Sequence, residues 1–199
     1  FALDVEITCM EERACKIAAA GYAVISQYGV RRATMSDIAA AAGVSRQTIY
    51  NIFPNREALL VAVSRYHFAS KWNAIREGCD DDAPRDARFR LLLEKLVLES
   101  WESIQAMPHA DELELELATT LKQELTEVHL GARRNLCEFL LPYEADLERR
   151  SITPRGLGEM LHHSIVGLKL STTTRAEIES VVATMHACLM ALTAPVQPA

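Results

Sequence analysis

The sequence has no apolar run long enough to cross a bilayer and no period-two alternation of apolar and polar residues. The first absence removes membrane-spanning classes, since a span needs about 20 consecutive apolar residues. The second removes half-buried strands. Five cysteines (Cys9, Cys15, Cys79, Cys137, Cys188) form no CxxC pair and have no histidine beside them at ligand spacing. An odd, scattered set excludes a disulfide framework and reads as reduced, mostly buried thiols. His109, His129, His162, His163 and His186 include no i,i+4 pair, so no metal site is expected, and no cofactor motif stands out. No nucleophile with a base and no paired acids stand in a recognisable setting, so the chain does not read as an enzyme. The N-terminal FALDVEITCMEERACK carries Asp4, Glu6, Glu11 and Glu12 where a secretion signal would be basic, and a cytoplasmic protein is expected.

Acids are also scarce in one place. Between residues 13 and 56, Arg13, Lys16, Arg31, Arg32, Arg46 and Arg56 face only Asp37, a balance of +5 in a chain of net charge −6, which leaves −11 for the rest. A basic N-terminal quarter on an acidic remainder suits a polyanionic partner for that quarter alone, because only there must counterions be displaced.

What is present is helical periodicity. Ala14, Ile17, Ala18, Ala20, Gly21, Val24, Ile25 and Tyr28 recur mostly at three- and four-residue steps over 11–28, and Gly29 supplies a stop. Thr34 and Asp37 make a Thr-x-x-acid capping box for a second helix to about Ala42. Gly43 ends it, Val44 plugs the turn, and Ser45 caps a third helix that runs to about Ile52 and closes at Phe53-Pro54. Asn55 caps a fourth helix from Arg56 to about Ile75, with Leu59, Leu60, Val63, Tyr66, Phe68 and Trp72 at roughly helical spacing.

GCDDDAPRD, residues 78–86, is the best boundary. Helices are expected beyond it over about 85–106, 111–122 and 124–149, with Pro142 kinking or splitting the last. Thr153-Pro154 opens another helix to about Leu170, and the capping box of Thr174 and Glu177 opens a final one to about Leu192. The predicted fold class is all-α, with a head over 10–55, a connecting helix over 56–77 and a helical body over 84–194. The acidic stretch 111–116 reads as a solvated face that repels nucleic acid.

Residues 35–54, MSDIAAAAGVSRQTIYNIFP, then read as two short helices hinged at one glycine, the layout of a helix-turn-helix. Ala39 must be small where the helices cross, Gly43 permits positive φ, and Ile49 inserts between them, with Ile38, Ala42, Val44 and Ile52 filling the inner face. Arg46, Gln47, Thr48, Tyr50 and Asn51 are left outside. Arg matches guanine, and Gln or Asn matches adenine, in bidentate geometry, so Arg46, Gln47 and Asn51 are the expected base contacts.

The run TMSDIAAAAGVSRQTIYNIFPNREALL, residues 34–60, resembles the signature of the tetracycline-repressor (TetR/AcrR) family of transcriptional regulators, and the similarity covers about 11–62. It implies a three-helix DNA-binding head, a fourth connecting helix and a divergent helical body that dimerises and binds a small-molecule effector. It also implies phosphate contacts from Thr34, Tyr50 and Arg56, the last standing where the family usually has Lys. Ser45 at the start of the third helix completes the DNA-binding set. Gln47 departs from the small residue common in the family.

The expected partners are therefore a palindromic duplex operator, a second copy of the chain through the last two helices, and an effector of unknown identity. For that last interface the apolar stripes are Leu157, Leu161, Ile165 and Leu168, with Ile178, Val181, Val182, Met185 and Leu189. Trp72, Phe89, Trp101, Met107, Phe139, Tyr143 and Met160 are the bulky pocket candidates. The alternative is a helical adaptor or effector-binding protein that does not bind DNA.

Overall fold

Ala14, Ile17, Ala18, Gly21, Val24 and Ile25 form the buried face of α1 (Glu12–Tyr28), so tertiary burial holds this helix. The computed structural model describes residues 12–79, 82–110, 112, 125–169, 171 and 174–195. Every element among them is helical.

α2 (Met35–Ala42) opens on a reciprocal cap: Asp37 N donates to Thr34 Oγ1 at 3.2 Å and Thr34 N donates to Asp37 Oδ2 at 3.1 Å. It closes on Gly43, at φ 67°, where Gly43 N donates to Ala40 O and Val44 N to Ala39 O. These two bonds are the Schellman pair that satisfies carbonyls a helix otherwise leaves open. Thr48 N donates to Ser45 Oγ at 3.0 Å to start α3 (Arg46–Ile52). Ala58 N donates to Asn55 Oδ1 at 2.8 Å at the start of α4 (Arg56–Glu77).

α4 contributes to two separate cores. Leu59, Leu60 and Val63 join Ile17, Ile38, Ala39 and Ile49 in one, while Trp72 and Ile75 join Phe89, Leu92, Leu93, Leu136 and Leu140 in the other. The chain divides accordingly: the head unit takes everything described up to Ser70 together with Ser103–Leu130, and the body unit takes Lys71–Glu102 and everything from Gly131 onward.

In the body, α5 (Arg85–Leu93) runs into a π-helical turn, Glu94–Leu98, before α6 (Glu99–Gln105). The sequence predicts one helix here, because its apolar spacing continues unbroken through the turn. α7 (Leu125–Leu140) ends two residues before Pro142, a 3-10 turn (Leu141–Tyr143) follows, and α8 is short (Glu144–Glu148), so the proline splits the run as expected. Pro154 opens α9 (Pro154–Lys169), with Gly156 N donating to Thr153 Oγ1 at 3.0 Å. α10 (Arg175–Leu192) starts on a second reciprocal cap, with Glu177 N to Thr174 Oγ1 at 3.3 Å and Thr174 N to Glu177 Oε2 at 2.7 Å. The helix expected over 111–122 and Cys9 lie outside the described residues, apart from Glu112.

The thiols correct one expectation. Cys15 and Cys188 are exposed, and Cys79 and Cys137 are half-buried. Cys15 shows why: Ala14, Ile17 and Ala18 mark the buried stripe of α1, and position 15 falls beside it.

Candidate nucleic-acid interface

The head core fixes which side of α3 faces out. Ile49 is fully buried, Ala39 and Ala42 pack beneath it, and Arg46, Gln47, Tyr50 and Asn51 are exposed, with Thr48 half-buried. That division is set by α-helical geometry once Ile49 points inward.

Within this face the side chains are already paired. Gln47 Nε2 donates to Asn51 Oδ1 at 2.9 Å, one turn on. The Arg46 guanidinium carbon lies 6.0 Å from the centre of the Tyr50 ring, at the limit of a cation–π contact. Ser45 Oγ and Thr48 Oγ1 are 2.9 Å apart. The face thus presents one guanidinium, one phenol and a linked amide pair, with no carboxylate on α3.

The three expected phosphate contacts differ in readiness. Tyr50 is exposed. The Thr34 hydroxyl donates to Asp37 Oδ2 at 2.6 Å, so its proton is committed to the cap, and the same bond lowers the Asp37 pKa. Arg56 Nη2 donates to Val30 O at 2.5 Å and ties the start of α4 to the loop after α1. Sequence reading missed that bracing role, because a bond between residues 30 and 56 has no local signal. The loop it braces carries exposed Arg31 and Arg32, and Arg31 Nη1 sits 3.8 Å from Glu112 Oε1, too open a pair to fix geometry.

The turn at Gly29 explains another misplacement. At φ +82° it lies so close to the chain that a Cβ would stand 2.7 Å from Pro108 O. Met107, next to that proline, is 8% exposed and belongs to the head core. It was expected in the body pocket; it lies instead in the other unit. Trp72, Phe89, Trp101 and Phe139 are buried in the body core, and Tyr143 packs against them at 5.2 Å from Phe89. Met160 is 54% exposed and stands apart from those five.

Met160 instead lines an apolar groove of about 260 Å³ between α9 and α10, with Leu157, Ser164, Val181, Met185 and Cys188. Leu157, Leu161, Ile165, Ile178 and Leu189 of the expected interface stripes are buried within the chain itself. They are therefore intrachain core, and Met160 and Val181 are the large apolar residues left exposed on these helices. Among the described residues no three His, Cys, Asp or Glu side chains gather as metal ligands, and no helix is long and apolar enough to cross a membrane.

Residues 17–63 match the sequence profile of bacterial regulatory proteins of the tetR family. Among solved structures, a protein from Rhodococcus sp. described as a TetR-family transcriptional regulator shares the fold at TM-score 0.72 and 22% identity, covering 91% of this chain and all (100%) of that one. The fatty acid degradation regulator FadR from Bacillus halodurans matches at TM-score 0.64 and 20% identity, over 96% of this chain and 99% of that one. The TetR family repressor AlkX from Dietzia sp., implicated in biodegradation of n-alkanes, matches at TM-score 0.61 and 22% identity, over 92% of this chain and 97% of that one. No curated protein sequence matches the chain. Residues 17–63 thus match the tetR family of bacterial regulatory proteins, and the chain shares the fold of solved TetR-family transcriptional regulators.

Proposed function

We propose that the chain is a homodimeric, effector-responsive transcriptional repressor. The observation that carries the reading is the exposed, acid-free face of α3, with Arg46, Gln47, Tyr50 and Asn51 outward, in a head with few other acids. Each α3 enters a major groove, and two copies read half-sites about one helical turn apart. Tyr50 and Arg46 hold phosphate or guanine, while the amide pair of Gln47 and Asn51 meets adenine. Thr34, Ser45, Thr48 and Arg56 set the register of the helix and its flanking loop. The second copy docks on the groove between α9 and α10, where Met160 and Val181 are exposed. An effector held in the body favours a separation of heads that fits the operator poorly, and the duplex is released.

The test is duplex binding as a function of salt. Affinity for random duplex should fall steeply with salt, with a log–log slope of about −0.9 for each phosphate neutralised. Arg46→Ala and Tyr50→Ala should each weaken binding by about 1–3 kcal/mol. If neither changes duplex affinity at low salt, the head does not bind DNA through α3 and the adaptor reading takes its place.

A further inference from the structure

We propose that the turn between α1 and α2 is a second phosphate clamp on the duplex, with Arg31 and Arg32 as its cations and Glu112 as an internal anion that competes for Arg31. The proposal rests on reading α3 as the DNA-binding helix, and it adds two residues that neither the helix-turn-helix pattern nor the family resemblance brings into the site.

The turn is closed and anchored. Ala33 N donates to Gly29 O at 3.2 Å. Val30 and Ala33 are buried, at 1% and 6% exposure, and the two arginines between them are exposed. Two further contacts seat the backbone: Arg56 Nη2 donates to Val30 O at 2.5 Å, and Gly29 lies so close to Pro108 O that a Cβ would stand 2.7 Å from it. The cations therefore ride on a backbone that is ordered before any ligand arrives, and holding a phosphate there immobilises little beyond two side chains. Arginines that serve solubility alone need no such seating.

The turn is also continuous with the face of α3. Thr34, at the start of α2, follows Arg32 by two residues, and Val30 is bonded to Arg56, which starts α4 two residues beyond Pro54. Arg31 and Arg32 thus lie between two residues already expected near phosphate. A guanidinium matches a phosphate in bidentate geometry, and such contacts fix register without reading sequence. Glu112 meets the turn from another part of the head unit: its Oε1 lies 3.8 Å from Arg31 Nη1, with the side chains 25% and 54% exposed. Its own backbone is held, since Glu112 N donates to His109 O at 3.0 Å. So open an ion pair is weak, whereas a duplex offers about one phosphate charge per 1.7 Å of its axis. Phosphate therefore displaces Glu112 from Arg31.

The test uses the full chain and a fluorescent random-sequence duplex, titrated between about 50 and 200 mM salt. Arg31→Ala and Arg32→Ala should each make the log–log slope shallower by about 0.9 for each head engaged, with no change in preference among sequences. Arg32→Lys, which keeps the charge, should retain the slope. Arg155→Ala removes an exposed cation from the body unit and should leave the slope unchanged, which separates contact from net charge. Glu112→Gln should tighten binding about two- to fivefold, and most of that gain should vanish when Arg31→Ala is also present. A gain in affinity cannot come from a damaged fold, so this arm is independent of any instability in the arginine variants. Unchanged slopes in Arg31→Ala and Arg32→Ala, while Arg46→Ala and Tyr50→Ala weaken binding, overturn the clamp and leave the α3 reading intact. Shallower slopes with no effect of Arg46→Ala or Tyr50→Ala keep the clamp and remove α3 from the interface. No gain in Glu112→Gln, or a gain undiminished by Arg31→Ala, overturns the competition, and duplex binding by the unsubstituted chain that does not depend on salt overturns both readings.

Discussion

Gly43 and Gly29 both sit at positive φ, at +67° and +82°, but their surroundings differ. Nothing lies within 4 Å of a Cβ at Gly43, so a side chain there costs backbone strain alone. Gly43→Ala should lower stability by about 1 kcal/mol and Gly43→Asn by less, seen as a lower urea midpoint at unchanged slope. Gly29→Ala adds a clash with Pro108 O, which is backbone, and should cost more than Gly43→Ala in the same experiment. Lys169 makes a different kind of prediction. Its pKa is about 8 in the fold against 10.5 for the free group, so the unfolded chain binds more protons between those values. The charged, buried lysine therefore destabilises the fold fully below pH 8, on the order of 3 kcal/mol, and this cost fades as pH rises toward 10.5. Burial raises the pKa values of Tyr143 and Cys137, which pull stability the other way at high pH. The measurement is thus the stability difference between Lys169→Met and the unsubstituted chain, expected to be largest near neutrality and to shrink toward pH 10.5. A difference independent of pH would mean that the Lys169 pKa is the same in the folded and the unfolded chain, so that burial does not depress it.

Among elements, the packing of α1 depends on one missing methyl group. A Cβ on Gly21 would stand 2.7 Å from Val63 Cγ2 of α4, with Ile38 of α2 at 3.8 Å. Gly21→Ala should destabilise by about 1–3 kcal/mol through overpacking. Adding Val63→Ala should recover part of that loss, a coupling that a double-mutant cycle reads directly and that additive effects would refute. The same scale separates what a sequence reader sees from what is hidden. The helices of the head were legible at both ends because their signals are local: Thr34 with Asp37, Gly43, Ser45 and Phe53-Pro54 each act within a few residues. Pro142 and the box of Thr174 with Glu177 were legible for the same reason. The π turn at Glu94–Leu98 was not, since Phe89, Leu92, Leu93, Leu96 and Val97 keep the spacing of an ordinary helix across it. Nor was the pairing of Glu99 with Lys71 and Lys95, which stand 28 and 4 residues from it along the chain.

At the scale of the whole molecule, charge is divided by task, with a basic quarter inside a chain of net charge −6. The outer face of α3 could be assigned from sequence because one buried residue, Ile49, fixes the phase of the helix. The body resisted because its interior is assembled from α4 to α10, and pattern alone placed Met107 in the wrong core and grouped Met160, which lines the groove between α9 and α10, with five residues of the body core. The route of the chain has one further consequence. Met107 and Val128 complete the head core, yet they come after the body segment Lys71–Glu102. The head core is therefore not complete when α3 leaves the ribosome. A nascent chain ending near Ser70 should be cleaved readily by protease within α1–α3, and protection should arrive only once Val128 has been made. Synthesis itself then imposes an order in which the head unit matures after the first helices of the body unit have been made.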